Sequence, residues 1–154
     1  MRYQRPASSL RSQYAYTNFG LTEAAVAAAR AAGRSWEDVS AEKLYRPLGM
    51  ASTSSRFADY QRAENRALTH VSVDGRYVPR YVRDADAQSP AGGVSSTVRD
   101  LARWIRFHLG DGTFEGRRLI AAEALAETHR PQIISRRPRD PATDRAGFYG
   151  LAGT

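Results

Sequence analysis

The chain has 154 residues, enough for one ordinary domain with its own core. Its 42% hydrophobic and 25% charged content sets disorder aside as the default, and the lack of cysteine excludes disulfides, thiolate zinc sites and cysteine nucleophiles. The formal net charge of +7 comes from arginines scattered along the chain, with Lys43 as the one lysine, a distribution that speaks against a nucleic-acid surface.

Met1-Arg-Tyr-Gln-Arg-Pro6 is not followed by a long apolar stretch, so no signal peptide is read there, and no apolar run approaches membrane-spanning length. Alanine, the best helix former, dominates Asn18 to Ala32, and Gly33 is a natural stop. Ser35 with Asp38 three residues on predicts a capped second helix, running through Leu44 and ending before Pro47. Pro47 to Thr53 reads as a turn and short loop. Leu68 to Tyr81 alternates around Asp74-Gly75, which predicts a β-hairpin whose second strand Pro79 ends or keeps at an edge.

Ser89-Pro90-Ala91-Gly92-Gly93 reads as a tight turn. Thr97 and Asp100 then start a helix on which Leu101, Trp104, Ile105, His108 and Leu109 share a face, stopped by Gly110-Asp111-Gly112. Thr113 to Leu119 is expected to be a small loop, Ala121 to about Thr128 a last helix closed by Pro131, and Ile134 to Arg145 a polar, Pro-rich loop.

Several chemical patterns fail on their context. Gly110 to Gly116 has one residue too many for a dinucleotide fingerprint and follows a helix instead of a strand. Gly93-Val-Ser95-Ser-Thr97 lacks the last glycine of a nucleophile elbow. His70, His108 and His129 show no metal-ligand spacing, so no metal and no cofactor is expected. Ser40-Ala-Glu-Lys43 satisfies Ser-x-x-Lys, in which a lysine amine one turn away takes the serine proton. Two fixed positions are a weak pattern, and this one lies after, not before, Tyr16-Thr17-Asn18.

Tyr16-Thr17-Asn18 directly precedes a helix, and three further segments come after it. They are Pro47-Leu-Gly-Met50-Ala-Ser-Thr53, Pro90-Ala-Gly-Gly93, and Ser96-Thr-Val-Arg-Asp100-Leu101. With Phe148-Tyr-Gly-Leu151 near the end, this order resembles the β-lactamase-related serine hydrolases: class C β-lactamases, esterases and D-alanyl-D-alanine peptidases. The resemblance implies acyl transfer, in which a serine attacks a carbonyl and the acyl-enzyme is then resolved. It implies Tyr16 as proton shuttle or general base, and Asn18 as donor to the substrate carbonyl. A bare phenol titrates near ~10, so Tyr16 needs cationic neighbours for that work.

The resemblance also implies what to expect of the whole chain. The fold class is α+β, a mostly helical fragment of the β-lactamase/transpeptidase-like fold with at least one β-hairpin, and residues 1–154 form one partial domain. The family nucleophile lies several tens of residues before Tyr-x-Asn, whereas fifteen residues precede Tyr16, so no nucleophile is assigned and the chain is expected to be inactive alone. The lysine- or histidine-bearing strand motif would come after the last residue. Expected partners are a small-molecule or peptide substrate in a full-length relative, with no nucleic acid and no membrane segment. The alternatives are a non-catalytic binding or scaffold module, and a rearranged enzyme using Ser40 and Lys43.

Overall fold

A computed structural model describes residues 3, 5–140 and 142–151. The chain divides into two compact units, Asn18–Arg106 and Met1–Thr17 with Phe107–Thr154. The fold is α+β, with helices interleaved among three short antiparallel strand pairs in the described residues.

In the unit Asn18–Arg106, helix α1 (Asn18–Ala31) buries Thr22 and Ala29. It ends as its glycine predicts: Gly33, at φ +68°, donates to the Arg30 carbonyl (2.9 Å) and Arg34 to that of Ala29 (3.1 Å). This paired closure satisfies carbonyls that the helix end would otherwise orphan. Ser35 caps α2 (Trp36–Ser40) by accepting from the Asp38 amide at 3.1 Å. The α-helix does not continue to Leu44 as predicted. Ala41–Tyr45 is instead a π-helical turn, with Arg46 N–H reaching the Ala41 carbonyl at 2.9 Å. Pro47 has no N–H with which to continue an α-helical ladder, and the wider turn brings Tyr45 inward.

The loop after this turn is the centre of the unit. Leu48 and Met50 are buried, and beyond them Asp100, 3% exposed, gathers the chain. Its carboxylate accepts from the Ser52 amide (2.8 Å), the Thr53 hydroxyl (2.9 Å) and Arg103 of its own helix (2.9 Å). Thr53 also meets the Ser96 hydroxyl at 2.8 Å. Ser54 and Ser95 exchange backbone hydrogen bonds of 3.0 and 2.9 Å alongside.

Helix α3 (Phe57–Arg62) had no sequence signal, and its first amide is held by Asp86 at 2.8 Å. Strands β1 (His70–Val73) and β2 (Arg76–Pro79) form the expected hairpin. Asp74 and Gly75 both have positive φ, 49° and 76°, the mirror-image turn that suits strand twist. The segment Ser89 to Gly93, expected to be a tight turn, is instead the short helix α4 (Ser89–Gly92), entered from a 3-10 turn, Asp86–Gln88, with Pro90 in its first turn. Proline suits a helix start because its missing N–H would have no partner there. A Cβ on Gly93 would lie 2.6 Å from Ser89 Cα, so only glycine lets the chain leave α4 at this point.

Helix α5 (Val98–Leu109) starts as expected, Thr97 Oγ1 accepting from the Asp100 amide at 3.3 Å. Its apolar residues do not all turn inward. Asp100 and Phe107 are buried, Arg103, Trp104 and His108 half-buried, and Leu101, Ile105 and Leu109 exposed. The hydrogen-bonding need of the loop, more than the apolar pattern, fixes which side of the helix faces in.

In the other unit, β3 (Thr113–Phe114) and β4 (Arg117–Arg118) make a second small hairpin where a loop was expected, turned by Glu115 and Gly116 at φ 47° and 75°. Phe114 and Leu125 are buried, the latter on α6 (Ala122–His129), close to its expected span. The tail expected to be a loop from Ile134 contains β5 (Ile133–Arg136), paired antiparallel with β6 (Gly147–Tyr149). Two adjacent isoleucines suit a strand. The connection is pinned by Asp144, which takes a fork from Arg136 (2.6 and 3.1 Å) and the amides of Arg139 and Arg145. Among the described residues no helix is long and apolar enough to cross a membrane.

Asp100→Ala should lower stability by about 3 kcal/mol, because it strips three donors of a charged acceptor at a buried site. Urea unfolding measures this, and a loss below about 0.5 kcal/mol would refute the role given to Asp100. The Arg136 guanidinium beside Asp144 holds its carboxyl far below the ordinary aspartate range. A depressed pKa contributes order that persists above the folded value and is lost as pH falls through it. Amide exchange at Arg139 and Arg145 should therefore stay slow at pH ~4, the unperturbed aspartate range, and quicken only well below it.

Candidate functional site

Tyr16 and Asn18 lie on either side of the division between the two units. Tyr16 lies in the non-helical segment before α1 and is 68% exposed. In its unit it is grouped with Tyr14 and Tyr149, whose rings stand 5.2 Å apart at 50°. Burial, reinforced by Tyr14 and Tyr16, raises the Tyr149 phenol above its ordinary range. Tyr149 is also fixed by its backbone, its carbonyl accepting from Gln132 N–H at 2.8 Å. The sequence offered no hint of this group, since Tyr14 and Tyr149 are far apart along the chain.

Asn18 is the first residue of α1 and is half-buried. That position places its side chain where the leading amides of the helix are unpaired, a region that favours polar and anionic partners. Along the chain, Tyr16 thus precedes α1 and is exposed, while Asn18 begins α1.

Ser40 and Lys43 are not brought together as a catalytic pair. Ser40 is fully buried, donates to the Glu37 carbonyl at 3.1 Å and meets Ser55 Oγ at 3.2 Å. Tyr45 OH lies 2.7 Å from Ser55 Oγ. One proton order satisfies all of these: Tyr45 donates to Ser55, Ser55 to Ser40, and Ser40 to Glu37. Ser89 Oγ closes the cluster by donating to the Ser55 carbonyl at 2.6 Å. Lys43 is exposed and ion-paired with Glu42 at 2.9 Å, and the Lys43 amine, with Arg34, holds the Glu42 carboxyl below its usual range. The π-helical turn explains the separation, since its wider turn carries residue 43 further round from residue 40. A hydroxyl already committed to a carbonyl inside the core is not available as a nucleophile.

The histidines behave differently from one another. His70 Nδ1 lies 2.7 Å from the Leu68 carbonyl at the start of β1. His108 and His129, with no spacing signal in the sequence, come together with Nδ1 and Nε2 at 2.9 Å. Burial, and then His129, push the His108 imidazole below the usual histidine range. Among the described residues no group of three or more His, Cys, Asp or Glu is placed to hold a metal ion.

Comparison with known proteins gives this geometry a setting. The family model described as Beta-lactamase matches residues 1–152. The chain is 30% identical over 108 residues to Unguisins hydrolase ungD' of Aspergillus campestris, covering 68% of this chain and 20% of that protein. It is 30% identical over 97 residues to Penicillin-binding protein 4 of Amycolatopsis lactamdurans, covering 61% of this chain and 26% of that protein. The octameric penicillin-binding protein homologue from Pyrococcus abyssi shares the fold with a TM-score of 0.72 at 19% identity, over 94% of this chain and 31% of that one. The chain therefore spans between 20% and 26% of the length of these curated relatives.

Two substitutions test the reading of Ser40 and Lys43. Ser40→Ala removes a buried hydrogen-bonded hydroxyl and should lower stability by about 1 kcal/mol. Lys43→Ala removes one exposed ion pair and should change it by less than about 0.5 kcal/mol. Thermal melts of both variants decide, and equal losses would sink the distinction.

Proposed function

This chain belongs to the beta-lactamase family, and from that premise we propose that residues 1–154 supply the Tyr-x-Asn part of an acyl-transfer site whose nucleophilic serine lies outside them. The observation that carries this reading is the placement of Tyr16 and Asn18. A phenol is exposed to solvent two residues before a half-buried asparagine that begins a helix. Neither residue contributes to the buried core of its unit.

In this reading a serine oxygen attacks the carbonyl of an amide, lactam or ester, and its proton passes to Tyr16. The carbonyl carbon becomes tetrahedral, then collapses to an acyl-serine as the leaving nitrogen or oxygen takes that proton back from Tyr16. Water repeats the cycle to release the acid. Asn18 donates its side-chain amide to a substrate carbonyl and fixes the reacting geometry. The phenol serves as a base only beside a cation, because its unperturbed pKa near ~10 leaves it protonated at neutral pH. Lys43 is ion-paired with Glu42.

Two further observations support a nucleophile from elsewhere. Ser40-x-x-Lys43 is the one Ser-x-x-Lys sequence within residues 1–154, and its serine is locked in the core. Val98, Leu101 and Ile105 form an exposed apolar strip on α5, of the kind that a larger assembly covers. Residues 1–154 then form a partial β-lactamase-like domain, with a small-molecule or peptide substrate and no role for nucleic acid.

The purified chain should not hydrolyse a chromogenic cephalosporin or p-nitrophenyl acetate, and intact mass spectrometry should show no acyl adduct. Joined to a segment that supplies Ser-x-x-Lys upstream of Tyr16, it should gain turnover. Tyr16→Phe should then lower kcat by about 100-fold or more, the usual share of a positioned acid-base group. Asn18→Ala should act mainly on KM. A stoichiometric adduct on residues 1–154 alone, abolished by Ser40→Ala, would overturn the proposal.

A further inference from the structure

His108 and His129 are separated by twenty residues and are joined by the fold of a single unit. His108 is the penultimate residue of α5 and His129 the last of α6. Their facing nitrogens, Nδ1 and Nε2, are 2.9 Å apart, and the ring centroids 5.1 Å. A cleft of about 290 Å³ opens beside them, and Asp111, Leu125 and Arg130 help to line it. His129 is exposed, so the pair is reached from solvent.

Two imidazoles in this arrangement hold one proton between their facing nitrogens. An ion that takes the place of that proton lies to one side of the line between the nitrogens, and turning of the two rings aims both lone pairs at it. With metal–nitrogen bonds of about 2.0–2.1 Å, nitrogens 2.9 Å apart subtend roughly 90° at the ion. That is the angle between neighbouring ligands in a tetragonal or octahedral site. It is narrower than the tetrahedral angle that zinc adopts in structural sites. Nitrogen ligands in tetragonal geometry suit Cu²⁺ and Ni²⁺, which also bind such donors strongly among divalent ions.

The geometry points to a two-imidazole site for a divalent transition-metal ion, of the copper or nickel type, at His108 and His129. Water from the cleft fills the remaining positions, and Asp111 lines the same cleft. Arg130 also lines the cleft, but its guanidinium is held by Glu127 at 2.7 Å. With two protein nitrogens and, among the described residues, no group of three ligating side chains, the ion is exchangeable. Its binding ties the end of α5 to the end of α6. The site is separate from the Tyr16 and Asn18 reading and stands or falls without it.

Titration of the whole chain with NiCl₂ by calorimetry at neutral pH tests the site. One equivalent should bind. His129→Ala removes an exposed ligand without touching the core and should weaken binding by more than about tenfold, a loss larger than the lower end of outer-shell effects. His70→Ala should leave binding unchanged. With Cu²⁺, electron paramagnetic resonance should show coupling to two imidazole nitrogens, one of them lost in His129→Ala. Unaltered affinity in His129→Ala, equal weakening by His70→Ala, or no uptake at millimolar Ni²⁺ overturns the site.

Discussion

A single buried carboxylate sets the terms for the unit Asn18–Arg106. Asp100 is 3% exposed, and an ionised group at that depth is costly unless donors surround it. Three do: the Ser52 amide, the Thr53 hydroxyl and the Arg103 guanidinium. The first two come from a loop more than forty residues earlier in the chain, so the loop and the helix cannot form independently. Thr97 caps the turn that carries Asp100, Ser96 completes the hydrogen bonding of Thr53, and the Ser54–Ser95 bridge runs beside them. Loop, bridge and helix start therefore behave as one cooperative element.

This dependence changes what the family-like segments mean physically. Pro47 to Thr53 and Ser96 to Leu101 meet at Asp100, each supplying what the other lacks. Gly93 belongs to the same logic, because a Cβ there would strike Ser89, whose hydroxyl is already given to the Ser55 carbonyl. These residues build the scaffold. Tyr16 and Asn18 stand apart from it, one exposed and one half-buried at a helix entrance, with no comparable share in the packing. The resemblance is thus carried mostly by residues that hold the fold.

What the sequence made legible was local. Gly33, Ser35 with Asp38, Thr97 with Asp100, and Asp74-Gly75 each have a short-range mechanism, and each performs it in the structure. The α+β class and the family came from motif order, and both hold. What stayed hidden was set by partners distant in the chain. Strand β5 exists because Gly147–Tyr149 pairs with it, and α3 starts where Asp86 receives its first amide. Apolar spacing on α5 named Leu101 and Ile105, but the unmet donors of the Ser52–Thr53 loop brought Asp100 inward in their place.

Two pairs of side chains show why spacing and proximity part company. Ser40 and Lys43 have the interval that a regular helix turns into a contact. Yet a π-helical turn begins between them, and burial then assigns the hydroxyl to Glu37 and Ser55 while the amine goes to Glu42. His108 and His129 have no helical interval at all, yet two helix ends deliver their nitrogens to 2.9 Å. A motif of the Ser-x-x-Lys kind assumes a backbone geometry as well as two residue types, and it loses its meaning when either the geometry or the solvent exposure fails. Tyr16-Thr17-Asn18 asks less of the backbone, only that a helix begin at its asparagine, and α1 begins there.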